Sequence, residues 1–362
     1  MKRIVELDGL RGVLALWVVL YHMCSTLPAI KHILSGYFPI VMEAWFPVDV
    51  FFMMSGFVMM HVYGEQFASN VSVSRFKHFM VARFARLYPV HAFSLLCLLF
   101  IMLPGLIHEA GFYSLDGRYS IGTLGASFLL LQAPWVLIRT WNYPAWSISA
   151  EWHVYVLFPL LMMTINKLGK RTVIFSIVLL TAFVFLLYCS LIGNEKYPTN
   201  GLAVMLRVVP LFYSGMALYR LLSESNGLVQ VHLFPAFLIA AFLFFLLSNG
   251  QLSTFAVFFV PVLIFLTLSN SAFSKVFGSK FSIFLGKISY SMYMTHAVVQ
   301  ALVLIALPNF LHRKYMFDLA AGSLFLQLLF FLVAVLLSVL IGWLVCVLLE
   351  APMRRFVIEK LG

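Results

Sequence analysis

Ile121-Gly122-Thr123-Leu124-Gly125-Ala126-Ser127-Phe128-Leu129-Leu130-Leu131-Gln132-Ala133-Pro134-Trp135-Val136-Leu137-Ile138 carries no charge and has the length of a membrane crossing. Whether it crosses fixes the side on which every later loop lies. Around it the chain reads as ten apolar runs near 10–28, 46–63, 84–105, 146–166, 172–192, 203–222, 232–248, 252–270, 283–305 and 323–349, each long enough for a hydrocarbon core of about 30 Å. If 121–138 does not cross, one side collects sixteen basic residues: Lys2, Arg3, Arg75, Lys77, Arg83, Arg86, Lys167, Lys170, Arg171, Arg220, Lys275, Lys280, Lys287, Arg354, Arg355 and Lys360. The other side holds six, Lys31, Arg118, Arg139, Lys196, Arg313 and Lys314. If it does cross, Lys167 and every basic residue after it change sides. The positive-inside rule favours the uneven distribution. The expectation is an all-α integral membrane protein of about ten transmembrane helices with both termini cytoplasmic. Residues 121–138 are then re-entrant or interfacial, and the loop of Asn194, Glu195 and Lys196 lies outside.

Composition leads to the same class. Hydrophobic residues make up 63% of the 362 and charged residues 10%, and the mean hydropathy is +1.00, which excludes a soluble domain. No linker or low-complexity run divides the chain, so residues 1–362 are read as one polytopic membrane domain embedded in the lipid bilayer. The net charge of +11 sits in short loops between spans, where membrane orientation accounts for it without nucleic acid. Met1-Lys2-Arg3 before an apolar run resembles a signal peptide. Glu6 and Asp8 interrupt its basic region, however, and the run is span-length without a small-residue cleavage site, so a retained first span is expected. Cys24, Cys97, Cys189 and Cys346 are scattered without metal-like spacing, and no metal is expected.

Ionisable residues inside the spans point to a site, because each costs at least about 2.5 kcal/mol on insertion scales and normally faces the bundle interior. Arg11 and His22 are eleven residues apart, so on a helix they share one face with about 16 Å of rise between them. On the favoured orientation His22 lies about 9 Å, Asp49 about 5 Å and Glu151 about 7 Å below the outer ends of their spans. One imidazole and two carboxylates thus fall in one layer. An imidazole held by a carboxylate and reachable from outside meets the requirement for a general base acting on an incoming hydroxyl; a structural polar cluster joining helices is the alternative. On the cytoplasmic side Arg75, Lys77, His78, Arg83 and Arg86, with Arg11, suit a polyanion through guanidinium forks. Setting orientation or touching anionic lipid is the plainer role for such a cluster. Ser55 is followed by Gly56 and reads as a helix packing point more readily than as a nucleophile. His61, His91 and His108 read as satisfied polar groups.

The motifs together resemble the integral-membrane acyltransferase-3 family, the type that O-acetylates bacterial surface polysaccharides. Arg11 and His22 are similar to its Arg, ten residues, His pattern. Phe51-Phe52-Met53-Met54-Ser55-Gly56-Phe57, just after Asp49, resembles its Phe-Phe-x-x-Ser-Gly-Phe segment. Arg83-Phe84-Ala85-Arg86 resembles its Arg-x-x-Arg motif, and Trp146-Ser147-Ile148-Ser149-Ala150-Glu151 its Trp-Ser-x-x-x-Glu motif. Ser289-Tyr290-Ser291-Met292-Tyr293-Met294-Thr295-His296 is similar to its Ser-Tyr-x-x-Tyr-x-x-His span, and Glu350-Ala351-Pro352 to its closing Glu-x-Pro.

The resemblance implies an acyl-CoA-dependent O-acyltransferase of the bacterial inner membrane, multi-pass, with acetyl-CoA as donor substrate and no permanently bound cofactor. Arg83 and Arg86 would take the donor phosphates, with Arg11 guiding the arm inward. His22 would deprotonate a sugar hydroxyl of a surface or lipid-linked glycan, with Glu151 or Asp49 orienting it. Ser55, Trp146, Ser147, Tyr290, Tyr293 and His296 would line the substrate passage. Some members append an extracytoplasmic hydrolase-like domain; none is read before Gly362, so the membrane domain is expected to act alone or with a glycan-assembly partner. A homo-oligomer is left open. The rival reading is a proton-coupled secondary transporter, which also uses buried ionisable residues, although the first five spans show no repeat of the last five.

Overall fold

The computed structural model describes residues 3–68, 71–108, 117–191, 196–224 and 230–361. Lys2, Asn194, Glu195 and the His108 side chain lie outside the described residues. The described chain is helical, with no strand. In order it forms α1 (Val5–Cys24), α2 (Pro28–Tyr37), α3 (Trp45–Ala68), α4 (Val73–His108), α5 (Ile121–Phe128), α6 (Gln132–Trp135), α7 (Trp146–Ile165), α8 (Lys170–Ser190), α9 (Ala203–Ser223) and α10 (Leu233–Ser248). There follow α11 (Val260–Ser269), α12 (Ser271–Phe277), α13 (Lys280–Val299), α14 (Leu307–Tyr315), α15 (Leu324–Val345) and α16 (Ala351–Leu361). Two π-helical stretches, Gln300–Ala306 and Cys346–Glu350, carry α13 into α14 and α15 into α16.

Each of the ten predicted runs is helical, but among the described residues eight helices are long and apolar enough to cross a membrane, or nine with a bent pair counted as one span. The run at 232–248 becomes α10, whose sixteen residues rise about 24 Å, short of a full hydrocarbon core. The run at 252–270 ends at a bend of 90°. Asn270 makes that bend: it leaves α11 in an extended conformation, and its side chain accepts from the amides of Ala272 and Phe273 to cap α12. The third span begins at Val73 and not near residue 84, because nothing between Val73 and Phe84 breaks a helix. Arg83 and Arg86 therefore stand inside the bundle.

Residues 121–138 form no helix of crossing length. Ser120 caps α5, accepting from the amide of Thr123, and α5 stops after eight residues, with Leu130 at φ 56°. Irregular backbone at membrane depth needs protein partners, and polar side chains of neighbouring spans supply them. His91 of α4 bonds the carbonyl of Ser127 at 2.7 Å. Ser149 of α7 donates to the Leu130 and Ala133 carbonyls at 2.6 Å and accepts from the Ala133 amide. Gln132 reaches back to the carbonyl of Ala145.

Two seams without side chains set the helix register. A Cβ on Gly12 of α1 would overlap backbone atoms of Leu285 and Gly286 on α13, and one on Gly286 would overlap the carbonyl of Asp8. Gly56 of α3 and Gly215 of α9 likewise meet the backbones of Phe212 and Met53. Small residues allow this approach where packing must hold helices together without a hydrophobic driving force.

Candidate active site

The α1–α13 seam brings two polar faces together. On α1, Arg11 and Ala15 line a cavity of about 150 Å³, Val18 is buried above them, and His22 stands one turn further on. The cavity is closed by Ser55 and Met59 of α3, Arg83 and Arg86 of α4, Ser147, Glu151 and Tyr155 of α7, and Ser289, Tyr290 and Tyr293 of α13.

The three arginines are not equivalent. Arg11 donates to Asp8 at 2.7 Å, and Asp8 also binds Arg3. Arg86 pairs with Glu350 at 2.9 Å, while the second Glu350 oxygen accepts from Ser291 at 2.6 Å. Glu350 closes the π-helical stretch after α15, an insertion that re-aims side chains and is often found at functional sites. Arg83 donates to the Tyr63 hydroxyl at 2.7 Å and lies over the Tyr63 and Tyr155 rings. Its buried Nε has no partner, and no carboxylate lies within ion-pair distance among the described residues. Of the three cavity arginines, Arg83 is the one without a carboxylate partner among the described residues, which leaves it capacity for an anion.

Neither predicted carboxylate is hydrogen-bonded to His22. Glu151 accepts from the hydroxyls of Ser55 and Tyr155 inside the cavity. Asp49, fully buried, accepts from Arg207 of α9 at 2.8 Å and from Tyr188 of α8 at 2.6 Å. Arg207 also donates to the carbonyls of Pro198 and Trp45. Equal depth does not imply contact, since depth leaves each side chain's azimuth around its helix open.

The neighbours of His22 are other rings. His296 of α13 stacks on it with centroids 5.2 Å apart and planes 25° apart, and the Tyr143 ring lies at 4.6 Å. Gln300 joins the group, donating to the His22 carbonyl and accepting from the Tyr143 hydroxyl at 2.9 Å. This group meets the cavity through Tyr293, whose hydroxyl bonds Ser147 at 3.0 Å and whose carbonyl holds Nδ1 of His296 at 2.6 Å.

Of the residues expected in the substrate passage, Ser55, Ser147, Tyr290 and Tyr293 line the cavity. His296 belongs to the imidazole group instead, and Trp146 packs behind the wall between Phe52 and the Arg207 guanidinium. Gly56 is the packing point, while Ser55 faces Glu151. Sequence reasoning missed the roles of Arg207, Tyr188, Tyr155, Tyr143 and Gln300. Arg207 had a signal: a cation in mid-span needs a carboxylate, and few were available. Among the described residues no group of three His, Cys, Asp or Glu side chains is placed to hold a metal.

Residues 4–347 match the family described as an acyltransferase domain, acyltransferase-3. Over 337 residues the chain is 23% identical to a Staphylococcus aureus (strain COL) protein named "Putative O-acetyltransferase", a match covering 84% of this chain and 52% of that protein. It is 32% identical over 161 residues to "Protein 2 in picA locus" of Rhizobium radiobacter, covering 42% of this chain and 76% of that protein. It is 28% identical over 174 residues to the acyltransferase MdmB of Streptomyces mycarofaciens, covering 47% and 42%. The chain spans about half the length of the Staphylococcus relatives. No solved structure matches it. A match over nearly its whole length means that the chain belongs to the acyltransferase-3 family of integral-membrane acyltransferases.

Proposed function

We propose that this protein is an O-acyltransferase of the bacterial inner membrane. In this reading it moves an acetyl group from acetyl-CoA to a sugar hydroxyl of a surface or lipid-linked glycan. The observation that carries the reading is the continuous face of α1 from Arg11 to His22, joining a cation-lined cavity to a ring-enclosed imidazole pair about 16 Å away. Donor and acceptor chemistry need that separation, because the phosphates of the donor are far from its thioester.

The donor enters from the side favoured by the basic loops. Arg83 takes a phosphate first, having spare donors; Arg86 and Arg11 add charge at a cost in their pairs with Glu350 and Asp8. The thioester is then aligned with the imidazole pair, where the acceptor hydroxyl arrives from the opposite side. The hydroxyl proton moves to imidazole nitrogen, the oxygen bonds the carbonyl carbon, the carbon–sulfur bond breaks, and sulfur recovers the proton. His22 is essential here. Glu151, with Ser55 and Tyr155, shapes the cavity and orients the arm, and Asp49 takes no part in the chemistry because both its oxygens are engaged.

Mass spectrometry of surface glycan tests the proposal. Ester-linked acetate is expected from cells carrying the protein and absent from cells lacking it or carrying His22→Ala at equal abundance. Full acetylation in the His22→Ala cells sinks the mechanism.

A further inference from the structure

The imidazole pair has two members with unequal surroundings. Nδ1 of His296 lies 2.6 Å from the carbonyl oxygen of Tyr293. A carbonyl only accepts, so Nδ1 carries the hydrogen and Nε2 presents its lone pair. That Nε2 is buried and has no partner, in a side chain with no exposure. An orphaned acceptor in a dry site carries an uncompensated desolvation cost, which a hydroxyl donated by a ligand recovers. His22, by contrast, has no carboxylate or carbonyl bonded to its ring among the described residues, so nothing in the resting site selects its tautomer. A general base needs its second nitrogen held, because that bond sets ring orientation and leaves the reactive nitrogen unprotonated.

We propose that His296, through Nε2, is the residue that removes the proton from the acceptor hydroxyl, with His22 acting beside it as a neutral hydrogen-bond donor to the thioester carbonyl oxygen. This assignment rests on the acyl-transfer reading above and divides its labour. The acceptor O–H bond breaks and its proton passes to Nε2; oxygen bonds the carbonyl carbon as carbon–sulfur breaks; sulfur leaves as thiolate and takes the proton from Nε2. His22 keeps its proton throughout, so the stacked rings, 5.2 Å apart, never both carry charge, which like-charge repulsion in a dry site disfavours. The Tyr293 carbonyl stabilises the transient imidazolium through Nδ1. Tyr293 thereby reaches both parts of the site, its hydroxyl on the cavity wall and its carbonyl on the base.

The test uses full-length protein in bacterial phospholipid vesicles, radiolabelled acetyl-CoA as donor and, as acceptor probe, alkali-treated surface glycan from cells lacking the protein. For His296→Asn the expected result is a kcat lower by roughly 10²–10⁴-fold with the acetyl-CoA KM within threefold of wild type. The surviving rate should climb in proportion to hydroxide, because the limb of the pH profile that reports the base is gone. His22→Asn should lose rate and keep that limb. A limb retained in His296→Asn, or a loss in kcat within threefold, overturns the assignment while leaving acyl transfer intact; no wild-type transfer to the probe overturns acyl transfer itself and this with it. Should His296→Asn not fold, the wild-type protein still decides. Diethyl pyrocarbonate, which acylates unprotonated imidazole, should modify His296 as transfer is lost, and the glycan should protect both. Transfer that survives once His296 is acylated rejects the proposal.

Discussion

Arg83 and Arg86 sit one helical turn apart and look interchangeable in the sequence, yet their partners give them different work. Arg83 has a spare donor and, among the described residues, no carboxylate, so on the proposed reading Arg83→Ala should cost a charge-assisted phosphate contact, about 1.5–3 kcal/mol, or one to two decades of acetyl-CoA affinity. Binding of labelled acetyl-CoA to purified protein checks this, and Arg83→Lys should restore charge without the fork. Arg86 neutralises Glu350, which is 4% exposed, so Arg86→Ala strands a buried carboxylate. The expected loss is in stability, about 3–5 kcal/mol, seen as a lower midpoint of thermal unfolding in detergent. Arg86→Ala with Glu350→Gln should recover much of it.

Among the elements, α3, α8 and α9 are joined by Asp49, Tyr188 and Arg207. Because Arg207 and Asp49 are 1% and 0% exposed, Arg207→Ala should destabilise by about 3–5 kcal/mol, again read from thermal unfolding, while donor affinity stays near wild type in the protein that remains folded. Asp49 shows what the sequence makes legible and what it does not. Its depth and its need for a partner follow from hydropathy alone, but the choice among His22, Arg207 and Arg11 depends on how each helix is rotated about its axis. That rotation comes from glycine contacts between distant spans, which no local pattern reports. The same holds for Glu151, read rightly as an inward-facing carboxylate and bonded to Ser55 and Tyr155 instead of His22. Helix identity was legible throughout, since long apolar runs leave few alternatives. Helix ends were not: α4 begins at Val73 because polar residues that resemble a loop continue the helix.

At the scale of the whole molecule, residues 121–138 decide sidedness, and their division into α5 and α6 agrees with the distribution of basic loops. Single cysteines at Lys170 and Lys196, in a background without the four native ones, should react with an impermeant thiol reagent on intact cells at 196 and not at 170. The reverse pattern would invert the bundle and with it the proposed entry side of acetyl-CoA. The glycine seam between α1 and α13 bears on how such a protein can change over generations. With the backbones in contact at Gly12 and Gly286, that point is the zero mark of a gauge, and the imidazole of His22 is read ten residues along it. Removing one residue between them, Val19 for instance, turns everything beyond by about 100° and draws it back about 1.5 Å, carrying His22 off His296 with every side chain otherwise intact. A substitution on α1 that keeps its backbone leaves this spacing intact, whereas the count of residues from Gly12 to His22 can neither grow nor shrink, and a variant lacking Val19 should insert normally and transfer nothing.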